Sequence, residues 1–132
     1  MVSQEIANRI NSVRLGHLLR PLTQDSRMDL MAKRRVTDMI QNEYFGHVSP
    51  AGLDLEALAR ASGIHYRTVG EILWEGDGIE PGQAAAEAAV QSWMDSTSHR
   101  EEILYRDYDA LGVSVFRVDD RILAAVEFIA YR

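Results

Sequence analysis

The most informative absence in this sequence of 132 residues is that of cysteine. Without cysteine the chain cannot form disulfide bonds, thiolate metal sites or a cysteine nucleophile, so histidines and carboxylates become the candidates for site chemistry. The absence does not fix the cellular compartment, because many exported domains also lack cysteine.

Long hydrophobic runs are absent too. No stretch of about eighteen apolar residues occurs, so the sequence predicts no transmembrane segment. Met1 leads almost directly into the polar residues Gln4, Glu5, Asn8 and Arg9, and no N-terminal signal peptide is predicted. A chain that begins after a removed signal would start in the same way, so this feature leaves the compartment open.

Basic patches and internal repeats are also missing. The formal net charge is -6, the pI is about 5.1, and basic residues are interleaved with acidic ones. Proteins that bind nucleic acid usually carry a basic face, so we expect no nucleic-acid partner. With 46% hydrophobic residues and no visible linker, the chain is predicted to form one domain, residues 1–132, around one core.

Apolar residues at helical spacing predict an α-helix over residues 3–19 and a second helix that starts at Asp25. The apolar stripe of the second helix consists of Met28, Ala32, Val36 and Met39. Shorter helices are expected from Asp54 to Ser62, from Pro81 onward, and after Ser98, which resembles the first residue of a capping box.

The last third of the sequence has the pattern of β-strands. Two runs, Leu111 to Val118 and Ile122 to Tyr131, flank Asp119-Asp120 and predict a hairpin. Both alternating sets of the second run are largely apolar, so both faces of that strand should be covered. Residues 66–74 are a weaker strand candidate. Helices followed by an antiparallel sheet, with helices packing on both of its sides, indicate an α+β fold.

Two candidate site residues lie in the middle of the chain. His47 sits in a loop rich in glycine and proline, where its side chain can reach into a cleft; the alternative is a turn whose histidine caps a backbone carbonyl. If residues 66–74 form a strand, Glu71 shares a face with Val69 and Leu73, where a carboxylate needs a partner. The alternative is an edge strand with Glu71 in solvent.

Two more candidates follow towards the C-terminus. His99 falls in the first turn of a predicted helix, where the helix dipole disfavours the imidazolium and favours the neutral ring that binds metals. The alternative is an ordinary surface helix start. Glu127 is the only charge in a strand that is otherwise apolar on both faces, so it needs a partner, a cleft or a place near the sheet edge.

The order and spacing of short motifs along the chain resemble the bacterial-type CAP domain. This superfamily comprises the cysteine-rich secretory, antigen 5 and pathogenesis-related 1 proteins, also called SCP-like, and the resemblance runs from about Ile6 to Tyr131. The residues that carry it are Asn11, Arg14, Leu18, Leu19, Ala32, His47–Gly52, Gly70, Glu71, Trp93, Ser96, His99, Arg100, Ile103, Leu104 and Leu111–Val113.

The resemblance implies a three-layer α-β-α sandwich around a small antiparallel sheet. It also implies a cleft in which His47, His99 and Glu71 meet, and which in some members holds a divalent metal such as zinc. The family usually has asparagine where this chain has Ile72, and many eukaryotic members have an acid where it has Ser96. A metal is therefore expected to bind weakly, with Glu127 as a further acid if its face opens to the cleft.

The resemblance leaves two functions open. The first is a binding module, extracellular or at the cell envelope, for a lipid, a cell-wall component or a protein. The alternative is a zinc-dependent hydrolase or protease, in which His47 and His99 hold the metal and Glu71 is the catalytic base or third ligand. We favour the binding module, because a hydrolase needs both a third ligand and a catalytic base. Glu71 can fill only one of these two roles unless Glu127 joins the site. No serine or threonine has catalytic-triad partners in a recognisable order along the sequence. A serine hydrolase is therefore a distant third hypothesis.

Overall fold

A computed structural model describes residues 2–132 of the chain. This range contains five helices and four strands. In chain order they are α1 (Val2–Gly16), β1 (Thr23–Gln24), α2 (Ser26–Gln41), α3 (Leu55–Ala61), β2 (Tyr66–Asp77), α4 (Gln83–Met94), α5 (Thr97–Ile103), β3 (Ala110–Val118) and β4 (Arg121–Tyr131). Within the same range, no helix has both the length and the apolar character needed to cross a membrane.

The strands form one sheet in the order β1-β3-β4-β2. β3 and β4 form the predicted antiparallel hairpin, and the positive φ of 54° at Asp119 suits its tight turn at Asp119-Asp120. β2 pairs antiparallel with β4, whereas the short β1 runs parallel to β3. The sheet is therefore mixed rather than purely antiparallel, and β4 lies in its interior between two long strands.

Helices cover β4 on both faces, which confirms the α+β fold and the three-layer α-β-α sandwich. Val126 and Phe128 belong to a core that includes residues of α1, α4 and α5, among them the buried Trp93. On the opposite face, Leu123 and Ala125 pack against the apolar stripe of α2. This two-sided burial explains why both alternating sets of the strand are apolar.

Helix α2 lies directly against β3, and this contact fixes the helix over the sheet. The Asp25 side chain caps its first turn. The Asp29 carboxylate then accepts a hydrogen bond from the Val113 amide of β3 at 2.9 Å. A Cβ at Gly112 would overlap the Met28 backbone, so only glycine permits this close approach. The rest of α2 is thereby directed across the adjacent strands.

Three helix boundaries differ from the sequence-based predictions. α1 ends at Gly16, because the chain leaves the helix through Leu18 in the left-handed conformation at φ 61°. α4 begins at Gln83, since Pro81 lies in the preceding turn. α5 has Ser96 at its N-cap and so starts two residues earlier than predicted. None of these shifts moves a predicted site residue to a different element.

Candidate functional site

Glu71 is at the centre of the candidate site. It lies in β2, on the same face as Val69 and Leu73, and only 1% of its side chain is exposed. The residue directly opposite on β4 is Glu127, which is completely buried. The prediction that Glu71 lies on an apolar face is confirmed, and the alternative of a carboxylate in solvent is wrong.

The charged partner of Glu71 is Arg35, which was not among the site residues predicted from the sequence. Arg35 is fully buried on α2, and its Nε donates a hydrogen bond to Glu71 Oε2 at 3.0 Å. It lies on the apolar stripe of α2, three residues after Ala32 and four before Met39. A charged residue at a stripe position was the signal that the sequence offered, since arginine is almost never fully buried unless it is paired.

The other two nitrogens of Arg35 hold the loop that follows α2. Nη1 donates to the Tyr44 hydroxyl at 3.0 Å and to the Leu53 carbonyl at 2.9 Å, and Nη2 donates to the His47 carbonyl at 2.7 Å. The Tyr44 hydroxyl in turn donates to the Asp38 carboxylate at 2.5 Å. One buried guanidinium therefore anchors the His47 loop at three points.

The loop places the His47 ring between the sheet and the solvent. Its Nδ1 lies 2.7 Å from Glu71 Oε1, and 52% of the side chain is exposed. Because an ionised carboxylate only accepts hydrogen bonds, Nδ1 carries the proton and donates it to Glu71. In the neutral ring, Nε2 then remains the free acceptor. The alternative in which His47 caps a backbone carbonyl is wrong, because the ring bonds a carboxylate.

The two carboxyl groups differ in protonation. Burial raises the pKa of Glu71, but hydrogen bonding, chiefly from His47, and the positive charge of Arg35 outweigh burial and lower this pKa from its ordinary value. Burial and then the negative charge of Glu71 raise the pKa of Glu127 well above its ordinary value. Across residues 2–132, neither Glu127 oxygen has a hydrogen-bond partner of good geometry. The environment therefore favours the charged form of Glu71 and the protonated form of Glu127.

His99 is the predicted site residue that this cluster does not include. It lies half-buried in the first turn of α5, as the sequence indicated. The part of the chain that the structure describes contains no group of three or more histidine, aspartate or glutamate side chains placed to hold a metal ion. A metal site shared by His47, His99 and Glu71 therefore stays a prediction.

The donor chemistry of the cluster fits a metal through imidazole rather than through carboxylate. Both Glu71 oxygens already accept hydrogen bonds, one from His47 and the other from Arg35. Histidines that bind zinc commonly donate their second ring N–H to a carboxylate, which orients the ring. Glu71 has this orienting position, and His47 Nε2 is the atom of the cluster suited to a metal.

Two apolar residues close to His47 in the sequence are exposed. Phe45 is 48% exposed and Val48 is 56% exposed. A cavity of about 530 Å³ adjoins this loop; Tyr44 and Phe45 line it, and it extends to Asp119 in the β3–β4 turn. The loop thus carries one available ring nitrogen and exposed apolar side chains, two kinds of group that are common in binding sites.

The sandwich and the bond between a loop histidine and a strand glutamate agree with the family that the motifs indicate. The family model CAP, described as the cysteine-rich secretory protein family, matches residues 7–127. The chain belongs to the CAP family, and its fold is that of the bacterial-type domain.

Similar proteins come from several bacteria. The Bacillus subtilis uncharacterized protein YkwD is 31% identical over 110 residues, which are 83% of this chain and 40% of YkwD. An extracellular SCP-domain protein from Bacillus anthracis str. Ames has a TM-score of 0.79 and 27% identity over 97% of this chain and 40% of its own. An outer surface protein from Borrelia burgdorferi shares the fold, with a TM-score of 0.85 and 21% identity over 99% of this chain and 93% of its own. This chain therefore spans less than half the length of YkwD.

Proposed function

We propose that this CAP domain is a binding module whose recognition surface is the His47 loop. The observation that carries the proposal is that both oxygens of Glu71 are engaged, one by His47 Nδ1 and one by Arg35 Nε. The cluster therefore holds the loop in place and leaves Nε2 of the half-exposed His47 ring free. This arrangement suits recognition of a ligand better than it suits turnover of a substrate.

A hydrolase would need a general base near the reacting water. Glu71 is poorly suited to that role, because its pKa is lowered, burial notwithstanding, by the hydrogen bond from His47 and by the charge of Arg35. Glu127 is poorly suited as well, because it is completely buried, and burial and the charge of Glu71 raise its pKa well above the ordinary value. The acid that the hydrolase hypothesis needed from Glu127 therefore lies closed off beside Glu71, away from solvent.

The chemistry of the surface defines the ligand. His47 Nε2 can accept a hydrogen bond from a hydroxyl or amide group, while Phe45 and Val48 offer apolar contact. A lipid, a cell-wall component or a protein segment presents both kinds of group. We further propose that the domain works outside the cell or at the cell envelope, as expected for relatives of an extracellular SCP-domain protein.

Weak zinc binding is the second candidate, and the His47–Glu71 hydrogen bond at 2.7 Å favours it. In this proposal His47 Nε2 and His99 supply the imidazole ligands, and Glu71 orients the His47 ring. Zinc would supply a Lewis acid or a structural link at the loop surface. The zinc-dependent hydrolase remains the alternative function for this site.

Two assays distinguish these functions. In co-sedimentation with purified peptidoglycan and with phosphatidylglycerol vesicles, wild type should bind one of the two materials, and His47→Ala should weaken that binding by about tenfold or more. His65→Ala is the matched control, because it removes an exposed histidine outside the cluster. Equal binding by wild type and His47→Ala would contradict the proposed surface. Zinc-dependent cleavage of an ester or peptide panel that disappears in His47→Ala would establish the hydrolase instead.

A further inference from the structure

A second cavity lies in the groove between α2 and α3. Its volume is about 460 Å³, within the range of roughly 300–1,000 Å³ that small-molecule sites occupy. Its apolar lining includes Leu53, the buried Leu58, and Leu30, whose 59% exposure leaves a large apolar side chain open to solvent. Leu30 and the half-buried Leu53 therefore leave apolar surface open to solvent in this groove.

Two positive charges border this apolar surface. Lys33 and Arg34 line the cavity, both are exposed, and neither forms an ion pair within residues 2–132. The carboxylate in the lining, Asp38, is already engaged by the Tyr44 hydroxyl at 2.5 Å and the Asn42 amide at 2.8 Å. The groove is thus locally positive in a chain with a net charge of -6.

We propose that this groove binds a small organic anion with a compact apolar body and one carboxylate or phosphate group. The leucines would remove the apolar body from water, and Lys33 and Arg34 would pair with the anionic group. An inorganic ion would leave the leucines solvated, and a neutral apolar molecule would leave both cations unpaired. The site is separate from the His47 surface, and the proposal does not depend on the function proposed there.

The single lysine of the chain provides a direct probe of this groove. Reductive methylation with carbon-13 formaldehyde labels the Lys33 amine, besides the N-terminal amine, and keeps its positive charge. Titration with octanoate and with octyl phosphate should shift the Lys33 signal until it saturates. Octanol and inorganic phosphate should bind at least about tenfold more weakly, because each offers only one of the two contacts.

Two variants test the role of charge. In the labelled protein, Arg34→Gln should weaken octanoate binding by about tenfold. Arg67→Gln removes an exposed arginine from β2, outside the cavity, and should leave the affinity unchanged. Both residues are exposed, so both variants should fold, which thermal unfolding followed by circular dichroism checks. Binding of octanol as tight as that of octanoate, or equal losses in the two variants, would overturn the proposal.

Discussion

Arg35 of α2 and Glu71 of β2 form an ion pair that is closed to solvent, with 3.0 Å between Nε and Oε2. Each charge depends on the other, because an isolated charge in the interior costs several kcal/mol. The pair joins a helix layer to the sheet. Because Arg35 also holds the His47 loop through two backbone carbonyls, the same side chain connects the core of the fold with the candidate site.

Replacement of Arg35 should destabilise the fold strongly. Arg35→Met leaves the Glu71 carboxylate buried without its cation and removes three further hydrogen bonds to the loop. We expect the free energy of unfolding to fall by about 3–5 kcal/mol, the usual cost of breaking a buried pair from one side. Urea denaturation at neutral pH measures this change.

The neighbouring residue supplies the control for that experiment. Arg34 is exposed, so Arg34→Met should change the free energy of unfolding by no more than about 0.5 kcal/mol. Arg35→Lys should fall between the two, because lysine keeps the charge but cannot reproduce the planar fork of arginine. A loss of less than about 1 kcal/mol in Arg35→Met would show that Glu71 does not need its cation.

The protonation of Glu127 predicts an unusual dependence of stability on pH. Burial, followed by the charge of Glu71, raises the pKa of Glu127 well above its ordinary value, so the folded state holds this proton more tightly than the unfolded state. The resulting stability is complete below the unfolded pKa of about 4.3 and is lost as pH rises towards the folded pKa. Glu127→Gln removes the titrating group while keeping its size. The stability of Glu127→Gln relative to wild type should therefore increase as pH rises from the unfolded pKa towards the folded pKa of Glu127.

Urea denaturation of both proteins at several pH values from about 4 to 8 tests this expectation. Glu71 has a lowered pKa, from hydrogen bonding with His47 and from Arg35 against the opposing effect of burial, so its contribution is lost as pH falls. Both proteins keep the ion pair of Arg35 and Glu71, so the difference between them reports the Glu127 carboxyl together with its interaction with Glu71. A variant that instead loses stability relative to wild type as pH rises would indicate that Glu127 is ionised and paired.

Much of the fold could be predicted from the sequence because the strongest patterns were periodic. The two apolar faces of β4 indicated a strand covered on both sides, and the stripe of α2 indicated a helix on one of them. β1 could not be predicted, because its two residues, Thr23 and Gln24, are exposed and pair with β3 only through the tertiary fold. The predicted start of α5 at Ser98 was also wrong by two residues, since Ser96 is the N-cap of this helix.

The candidate site was predictable only in part. His47 and Glu71 were identified from the motifs, and their hydrogen bond at 2.7 Å brings them together. Arg35 was not identified, because single-sequence patterns treat arginine as a surface residue and do not show which strand position lies beneath it. For Glu127 the sequence left a partner, a cleft or a place near the sheet edge as alternatives, and the structure buries it completely opposite Glu71. The raised pKa of Glu127 depends on this cross-strand pairing, which the sequence alone does not show.

The contact between α2 and β3 should not tolerate a side chain at Gly112. A Cβ there would overlap the backbone of Met28 and Asp29, which cannot move aside as a flexible side chain can. Gly112→Ala should therefore cost about 1–3 kcal/mol or more in the free energy of unfolding. Gly46→Ala is the matched control, because nothing lies within 4 Å of its added Cβ. Similar thermal unfolding temperatures for the two variants would contradict the close approach of the helix.

Zinc should bind weakly and with a clear dependence on pH. We expect His47 Nε2 and His99 to supply the ligands, and calorimetric titration of Zn²⁺ to give lower affinity in acidic buffer than at neutral pH, because protons compete with the metal for the imidazole nitrogens. Glu71→Gln should weaken binding by about 10–100-fold, the loss typical when the partner that orients a histidine ligand is altered. A complete loss in Glu71→Gln would instead indicate that Glu71 is itself a ligand.

Single-histidine variants then establish which imidazoles bind the metal. His47→Ala and His99→Ala should each abolish zinc binding if the two rings share one ion, whereas His65→Ala, outside the cluster and exposed, should bind as wild type does. Loss in His47→Ala alone would remove His99 from the site and leave the His47–Glu71 pair as a single-histidine surface. Equal binding by wild type and all three histidine variants would eliminate the metal proposal. Zinc would then bind without either proposed imidazole, and the hydrogen bond between His47 and Glu71 would have no role in holding it.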